Sequence, residues 1–334
     1  MTIVRPSLRL AAPLVRAIGN AIAPRAEDAG RLCVVNYHRI LAQPDPLLDA
    51  DTTVDQFRWQ MDLLAECFNV LPLGEAVERL AHGAMPPRAV AITFDDGYRS
   101  LHDLALPILR ERHLPATVFV TSGHMADASS MWNDVILEAV RRLPGPVLDL
   151  RDIGFDQYPL ATPAERSASI NLLTERCKYL VPQQRALMLA RLQELAGADL
   201  RQGLMLTETM IGNLLANGID IGGHTVTHPI LARIDDASAQ REIEDNKRDL
   251  ERITGRPVQL FAYPNGKYGA DFDDRHMAMV RAAGYRAAFS TAAGVATRRH
   301  DPFQLPRSRP WDSNPLMFAA RLLQWFHGDR HVVV

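Results

Sequence analysis

The sequence predicts an α/β protein whose parallel sheet closes, or nearly closes, into a barrel, with a helical insertion. Three observations lead there. Strand-like apolar runs alternate with helical patterns along most of the 334 residues, and strict β-then-α order is the signature of a parallel sheet. So many units in one domain suggest a barrel. From Trp132 to about Leu204 the rhythm stops and no strand is evident, so this stretch is expected to be a helical insertion that caps or flanks the site.

The elements follow in order. Val4 to Pro24 interleaves Arg5, Arg9 and Arg16 with Leu8, Leu10, Leu14, Val15, Ile18 and Ile22, which predicts a short amphipathic helix. It is expected to pack on the body of the protein, with a peripheral membrane contact as the alternative. Arg16 interrupts the apolar centre a signal peptide needs, so the expected location is the cytoplasm or the inner face of the membrane. Leu32 to Tyr37 reads as the first strand, followed by a loop rich in Pro and Asp through Pro46. Phe57, Met61, Leu64 and Phe68 recur at helical spacing. Val90 to Phe94 is a strand, Leu101 to Arg112 a helix, and Thr117 to Thr121 a strand. Within the insertion, Ala164 to Leu195 reads as helix broken at Pro182. Ile219 to Ile221, Val258 to Tyr263 and Arg286 to Ser290 are strands, with helices at Thr207 to Asn217, Ala237 to Ile253 and Asp273 to Ala283. Pro315 to Phe326 carries Leu316, Ala319, Leu322, Leu323 and Phe326 at helical spacing and should pack on the barrel exterior, although Trp325 and Phe326 leave room for a partner or membrane contact. The organisation expected is an N-terminal segment over 1–30, a barrel over 31–310 with its insertion at about 132–204, and a C-terminal helix and tail over 311–334.

Composition bounds the function. Hydrophobic content of 47% and charged content of 23% are ordinary for a globular protein. The 37 basic and 39 acidic residues nearly cancel, so bulk charge gives no argument for nucleic acid. Only three of the basic residues are lysine: Lys178, Lys247 and Lys267. The three cysteines, Cys33, Cys67 and Cys177, form no CxxC, and buried free thiols are the expected reading for the first two. No apolar run is long enough for a transmembrane span.

Two short segments carry the chemistry. Thr93-Phe94-Asp95-Asp96-Gly97 sets two carboxylates at the end of an apolar strand, the end where α/β barrels build their sites. Adjacent ionised carboxylates repel unless a cation or a shared proton relieves them. An acidic turn closed by Gly97 is the plainer alternative. His224-Thr225-Val226-Thr227-His228 follows Gly222-Gly223 at another strand end, and its i, i+4 spacing would place both imidazoles on one side of a helical turn. Two histidines and one carboxylate make a ligand set for a catalytic divalent metal, leaving the second carboxylate for proton transfer. A zincin would need Glu where Thr225 stands.

These residues resemble the first two motifs of the polysaccharide deacetylases of the NodB-homology type, carbohydrate esterase family 4. Tyr263-Pro264-Asn265-Gly266 is similar to the third motif, and Ala288-Phe289-Ser290-Thr291 with Leu305-Pro306-Arg307 to the closing segments. The resemblance runs from about Val34 to Arg307 and implies a distorted (β/α)7 barrel that removes acetyl groups from N-acetylated sugars with one divalent metal. Zn is the ion expected, with Ni, Co or Mn as alternatives. It further implies Asp95 as general base, and Asp96, His224 and His228 as metal ligands. The chain departs from the family pattern twice. Ala262 stands where an Arg usually orients the base, a gap Arg307 could fill from another strand end. The late Leu-x-His that supplies the general acid has no match. His38, in Val35-Asn36-Tyr37-His38 at the end of the first strand, resembles the acid of the branch that contains poly-N-acetylglucosamine deacetylases. The backbone N–H of Asn265 is the expected oxyanion donor, and Trp132 and Tyr268 are candidate sugar-stacking residues. The substrate expected is an N-acetylated glycan or glycolipid. Two rival readings stand beside this one: an amidase of the same fold on a non-sugar amide, and a non-catalytic glycan-binding barrel. His102, His113, His124, His327 and His331 lack comparable placement and read as surface or structural.

Overall fold

The computed structural model describes residues 5–21, 30–125, 130–197, 200, 203–309, 312 and 314–327. Val4, Ile22 to Pro24 and His331 lie outside the described residues. The strands in chain order begin with β1 (Arg31–Tyr37), β2 (Ile40–Leu41), β3 (Thr52–Thr53), β4 (Asn69–Val70), β5 (Ala89–Phe94) and β6 (Ala116–Val120). They continue with β7 (Val147–Asp149), β8 (Gln157–Pro159), β9 (Ile219–Gly223), β10 (Leu260–Ala262), β11 (Ala287–Phe289) and β12 (Ala296–Thr297). The helices are α1 (Arg5–Ala21), α2 (Val54–Cys67), α3 (Leu73–Ala81), α4 (Leu106–Glu111), α5 (Trp132–Arg142) and α6 (Pro163–Lys178). After these come α7 (Pro182–Ala196), α8 (Glu208–Ala216), α9 (Asp236–Thr254), α10 (Asp274–Ala282) and α11 (Pro315–His327).

One curled sheet runs β11-β10-β9-β6-β5-β1, every neighbour parallel. β12 lies antiparallel to the start of β1, and β4 fills the splayed start of β5. The ends of the sheet are joined by residues 305–308. Leu305 bridges Phe289 of β11, and Ser308 bridges Val35 of β1, both in parallel sense. Ser308 N–H donates to Val34 at 2.8 Å, and Asn36 N–H donates to the Ser308 carbonyl at 3.0 Å. Pro306 cannot donate to the ladder, which is why this seventh stave is two bridges rather than a regular strand.

Period-two alternation sorts the side chains. Leu32 and Val34 of β1, Ala89 and Ala91 of β5, Leu260 and Ala262 of β10, and Ala287 and Phe289 of β11 pack together inside the barrel. Cys33, Val35 and Tyr37, with Val90, Ile92 and Phe94, face outward against α2 and its neighbours. The frequent alanines fit a narrow interior. The inward register continues to Asn36 on β1, to Thr93 on β5 and to Asp95 just past its end, so the pattern that builds the core delivers polar groups to its C-terminal rim. Arg307, two residues beyond the inward Leu305, follows the same rule.

The insertion has its own apolar core, in which α5, α6 and α7 pack through Ile136, Leu173, Cys177, Met188 and Leu192. The expectation of no strand between Trp132 and Leu204 is corrected: β7 and β8 pair as an antiparallel hairpin. Each is three residues long with a single buried centre, too short for alternation to register in the sequence. It is attached to the barrel by a buried knot. Asp134 on α5 accepts from Tyr98 Oη at 3.1 Å and pairs with Arg39 Nη2 at 2.8 Å. All three cysteines are buried free thiols. α1 packs on α2 and α11, leaving Leu14 and Ile18 exposed. In α11, Phe318 meets Trp59 edge-on at 5.7 Å, and Phe326 is buried on Phe68. No helix among the described residues is long and apolar enough to cross a membrane.

Candidate active site

A cleft of about 430 Å³ opens at the C-terminal ends of the strands and is lined by His38, Asp95, Asp96, His224, His228, Asn265 and Arg307 among others. The two aspartates turn away from each other there. Asp95 is buried, and Arg307 grips it with both arms of its guanidinium, Nη1 to Oδ1 at 2.6 Å and Nη2 to Oδ2 at 2.7 Å. Asn36 Nδ2 adds a bond to Oδ2 at 2.9 Å. Arg307 is itself fixed by its Nε donating to the Ser290 carbonyl at 3.1 Å. Burial alone would raise the Asp95 pKa, but Arg307 and the nearby imidazoles outweigh it and hold the carboxyl below its ordinary range.

Asp96 takes the other direction because its backbone is left-handed, at φ 72°. Its Oδ1 lies 3.4 Å from Nε2 of both His224 and His228. Burial opposes ionisation here too, yet the imidazoles hold the carboxyl well below the usual range. The three ligand atoms lie within 4.8 Å of one another. For bonds of about 2.0–2.1 Å around a tetrahedral ion the edge between ligands is about 3.4 Å, so the spacing fits a divalent cation. The donors are also prepared for one. His224 Nδ1 sits 2.7 Å from the Ala262 carbonyl, which makes it the donor and leaves the Nε2 lone pair facing the cluster. Burial pushes His228 down to about 3, which keeps its imidazole neutral as a metal requires. His224 is buried as well, but Asp96 at 3.4 Å and the charges of both aspartates raise its pKa.

The histidine segment is not a helical turn. Residues 224–228 form a loop in which Thr225 and His228 are left-handed, at φ 66° and 56°, and the imidazole centroids come within 4.9 Å. Glu242 of α9 holds that loop, accepting from the Val226 and Thr227 N–H groups at 2.8 Å each. Asn246 of α9 accepts from His224 N–H at 3.0 Å and donates to the Val120 carbonyl at 3.0 Å. Gly222 and Gly223 permit this approach. A Cβ on Gly223 would lie 2.3 Å from Tyr285 Oη and 2.6 Å from Asn246 Oδ1.

His38 follows β1 as Asp95 follows β5, and the two strands are in register at Tyr37 and Phe94. Its Nδ1 is buried without a partner among the described residues. Asn265 is left-handed at φ 60° and its carbonyl accepts from Thr291 Oγ1 at 2.7 Å. Trp132, at the start of α5, lines the cleft, with Arg185 stacked 5.1 Å from its ring. Tyr268 does not line it: its hydroxyl donates to Asp274 at 2.8 Å and its ring packs edge-on against Phe272. Sequence reasoning missed Asn36, whose signal was a polar residue inside an otherwise apolar strand. It also missed Thr174, Glu175 and Lys178, which α6 brings to the cleft wall, and nothing local marks those three. Of the remaining histidines, His102 faces Asp103 at 2.8 Å on the surface, and burial lowers the pKa of His124.

The polysaccharide deacetylase family model matches residues 82–145 and 190–288, reaching into both ends of the insertion. The poly-β-1,6-N-acetyl-D-glucosamine N-deacetylase of Staphylococcus epidermidis is 31% identical over 109 residues, 28% of this chain and 37% of that protein. YxkH of Bacillus subtilis is 26% identical over 104 residues, 31% of this chain and 36% of that protein. The chain thus matches little more than a third of the length of these curated relatives. Among solved structures, the deacetylase PplD of Streptococcus pyogenes superposes with a TM-score of 0.60 at 18% identity, covering 89% of this chain and 99% of that one. IcaB of Ammonifex degensii gives 0.56 at 19% identity, covering 90% and 98%. At these identities the likeness shows the fold. Sequence motifs, matched segments and barrel together make the chain similar to the polysaccharide deacetylases.

Proposed function

We propose that this protein is a metal-dependent N-deacetylase that hydrolyses the acetamido group of an N-acetylated sugar within a polysaccharide or its precursor. One observation carries the reading: two adjacent aspartates have separate partners in one cleft, Arg307 for Asp95 and two imidazoles for Asp96. A binding module has no use for a spare ionised carboxylate beside a ligand cluster. The sugar substrate is supported by the poly-N-acetylglucosamine deacetylase among the relatives. A lipid-carried precursor and a peripheral membrane contact through Leu14 and Ile18 of α1 belong to the same proposal.

Asp96, His224 and His228 would hold the divalent ion, and Zn suits this ligand set best, ahead of Ni, Co and Mn. When bound, it supplies Lewis acidity to the acetyl carbonyl and acidifies water. Asp95 accepts the proton of the attacking water, its orientation set by Arg307 and Asn36. Its low pKa keeps it ionised and ready across neutral pH. His38 donates a proton to the departing amine nitrogen. The Asn265 N–H, on the cleft lining, would serve the oxygen on which negative charge develops.

Acetate release from N-acetylglucosamine oligomers, measured with and without a chelator, tests the proposal. Release should stop on chelation and return with Zn or Co. Absence of acetate from the fully metal-loaded protein across neutral, partially deacetylated and anionic N-acetylated oligomers would sink it.

A further inference from the structure

Of the three lysines in the chain, Lys247 has a structural place: its ammonium donates to the Val258 carbonyl, pairs with Glu251 at 3.0 Å and stands over the Tyr285 ring. The other two line the active-site cleft. Lys178 comes from the last turn of α6 in the insertion, and Lys267 from the loop after β10, two residues past Asn265. Neither has a carboxylate within ion-pairing distance among the described residues, whereas Arg309 on the same rim is engaged by Asp51 at 3.3 Å. The acidic groups of the cleft are accounted for. Asp95 is covered by Arg307, Asp96 faces the imidazoles, and Glu175 stands one turn before Lys178 on α6. One unpaired carboxylate, Glu175, therefore stands against two ammonium groups that have no carboxylate partner among the described residues; Lys178 rests over the Tyr179 ring at 5.4 Å and Lys267 has no such contact. A chain that supplies nearly all its cations as arginine has placed two of its three lysines at one cleft.

The chemistry of the two cations differs. Arginine reads a planar anion through a rigid fork, whereas lysine is a compact point charge on a flexible stem, suited to an anion that arrives in more than one orientation. We propose that Lys178 and Lys267 form an anion-recognition pair that selects N-acetylated sugars bearing a phosphate or carboxylate at or beside the residue in the cleft. This deepens the deacetylase reading and rests on it for the sugar, but not for the charge preference.

The test is calorimetric titration of the metal-loaded protein with glucose 1-phosphate, glucuronate and glucose, none of which has an acetamido group to lose. At low salt at least one anion should bind roughly tenfold or more tightly than glucose, and the gap should narrow as salt rises. The Lys178→Gln/Lys267→Gln variant should lose that preference. Arg248→Gln, which removes an exposed cation from α9, should keep it. Which anion binds separates a glycosyl phosphate, as in a carrier-linked precursor, from a uronate-containing polymer. Equal affinity for all three sugars overturns the proposal, as does a preference that survives in the double variant, the result expected if the anion sits on the metal alone. Acetate release without charge preference fails this inference only; charge preference without acetate release fails only the deacetylase reading.

Discussion

Asp95 and Asp96 are the same residue type at adjacent positions, and their opposite roles follow from what touches each. Asp95 shares a buried pair with Arg307, so removing the charge has two consequences. Asp95→Asn should retain metal and lose roughly 10²–10⁴ in rate for want of a base. It should also lose about 3 kcal/mol of stability, because Arg307 is left buried and half-paired. Metal analysis, acetate release and urea unfolding separate the three readouts, and near-normal turnover would remove Asp95 from the mechanism. The sign of the pH effect follows from the lowered pKa. A carboxylate depressed by folding stabilises the protein above its ordinary value of 3.8 and loses that contribution as pH falls through the lower folded value. Wild-type stability should therefore fall from pH 5 toward pH 2 more steeply than that of Asp95→Asn, and parallel profiles would contradict the assignment. His38 is tested through the leaving group. His38→Ala should keep its metal and lose about 10²-fold or more on the amide but far less on an aryl acetate ester, whose leaving group needs no acid. Equal losses would make His38 a positioning residue.

At the scale of elements, the site depends on strand ends and on loops that no strand or helix pattern describes. Among the described residues, four of the six non-glycine positions with positive φ are Asp96, Thr225, His228 and Asn265, all in the site or its supporting loop. Left-handed Thr225 is costly for a β-branched side chain, and its persistence means the surrounding bonds to Glu242 and Asn246 over-determine it. This is why the histidine pair was legible but its conformation was not. The i, i+4 spacing suggests a helical turn, whereas the imidazoles converge through a tight loop closed against α9. Gly223 is the point where that loop is most exposed to substitution. Gly223→Ala should cost about 1–3 kcal/mol through overpacking against Tyr285 and Asn246. By shifting the His224 backbone it should weaken metal binding by roughly 10–100-fold. Tyr285→Phe removes the hydroxyl 2.3 Å from the new Cβ and should restore part of both losses. A double variant no better than the single one would mean that Asn246 sets the limit.

At the scale of the whole molecule, the barrel was legible because its strands are buried on both faces and read as apolar runs, with the catalytic residues placed just past their ends. What the sequence could not show is how the barrel closes. Residues 305–308 contain a proline and too few apolar positions to read as a strand, yet they join β11 to β1 and in doing so carry Arg307 across the interior to Asp95. Closure and orientation of the base are therefore one structural event. A substitution that breaks the seam should cost stability and turnover together, while one in the outer helical layer away from the site should cost stability alone. Ser308→Pro removes the N–H that bonds Val34 and should cost about 3 kcal/mol or more. It should also lower turnover per folded molecule, because Arg307 loses its anchor one residue away. Phe318→Ala on α11 opens a cavity beneath Trp59 and should cost a similar 3–5 kcal/mol, yet leave turnover and metal content per folded molecule unchanged. Thermal unfolding beside acetate release at 25 °C distinguishes them. If Ser308→Pro keeps full turnover per folded molecule, the seam holds the barrel together without orienting the base, and Asp95 must take its direction from Asn36.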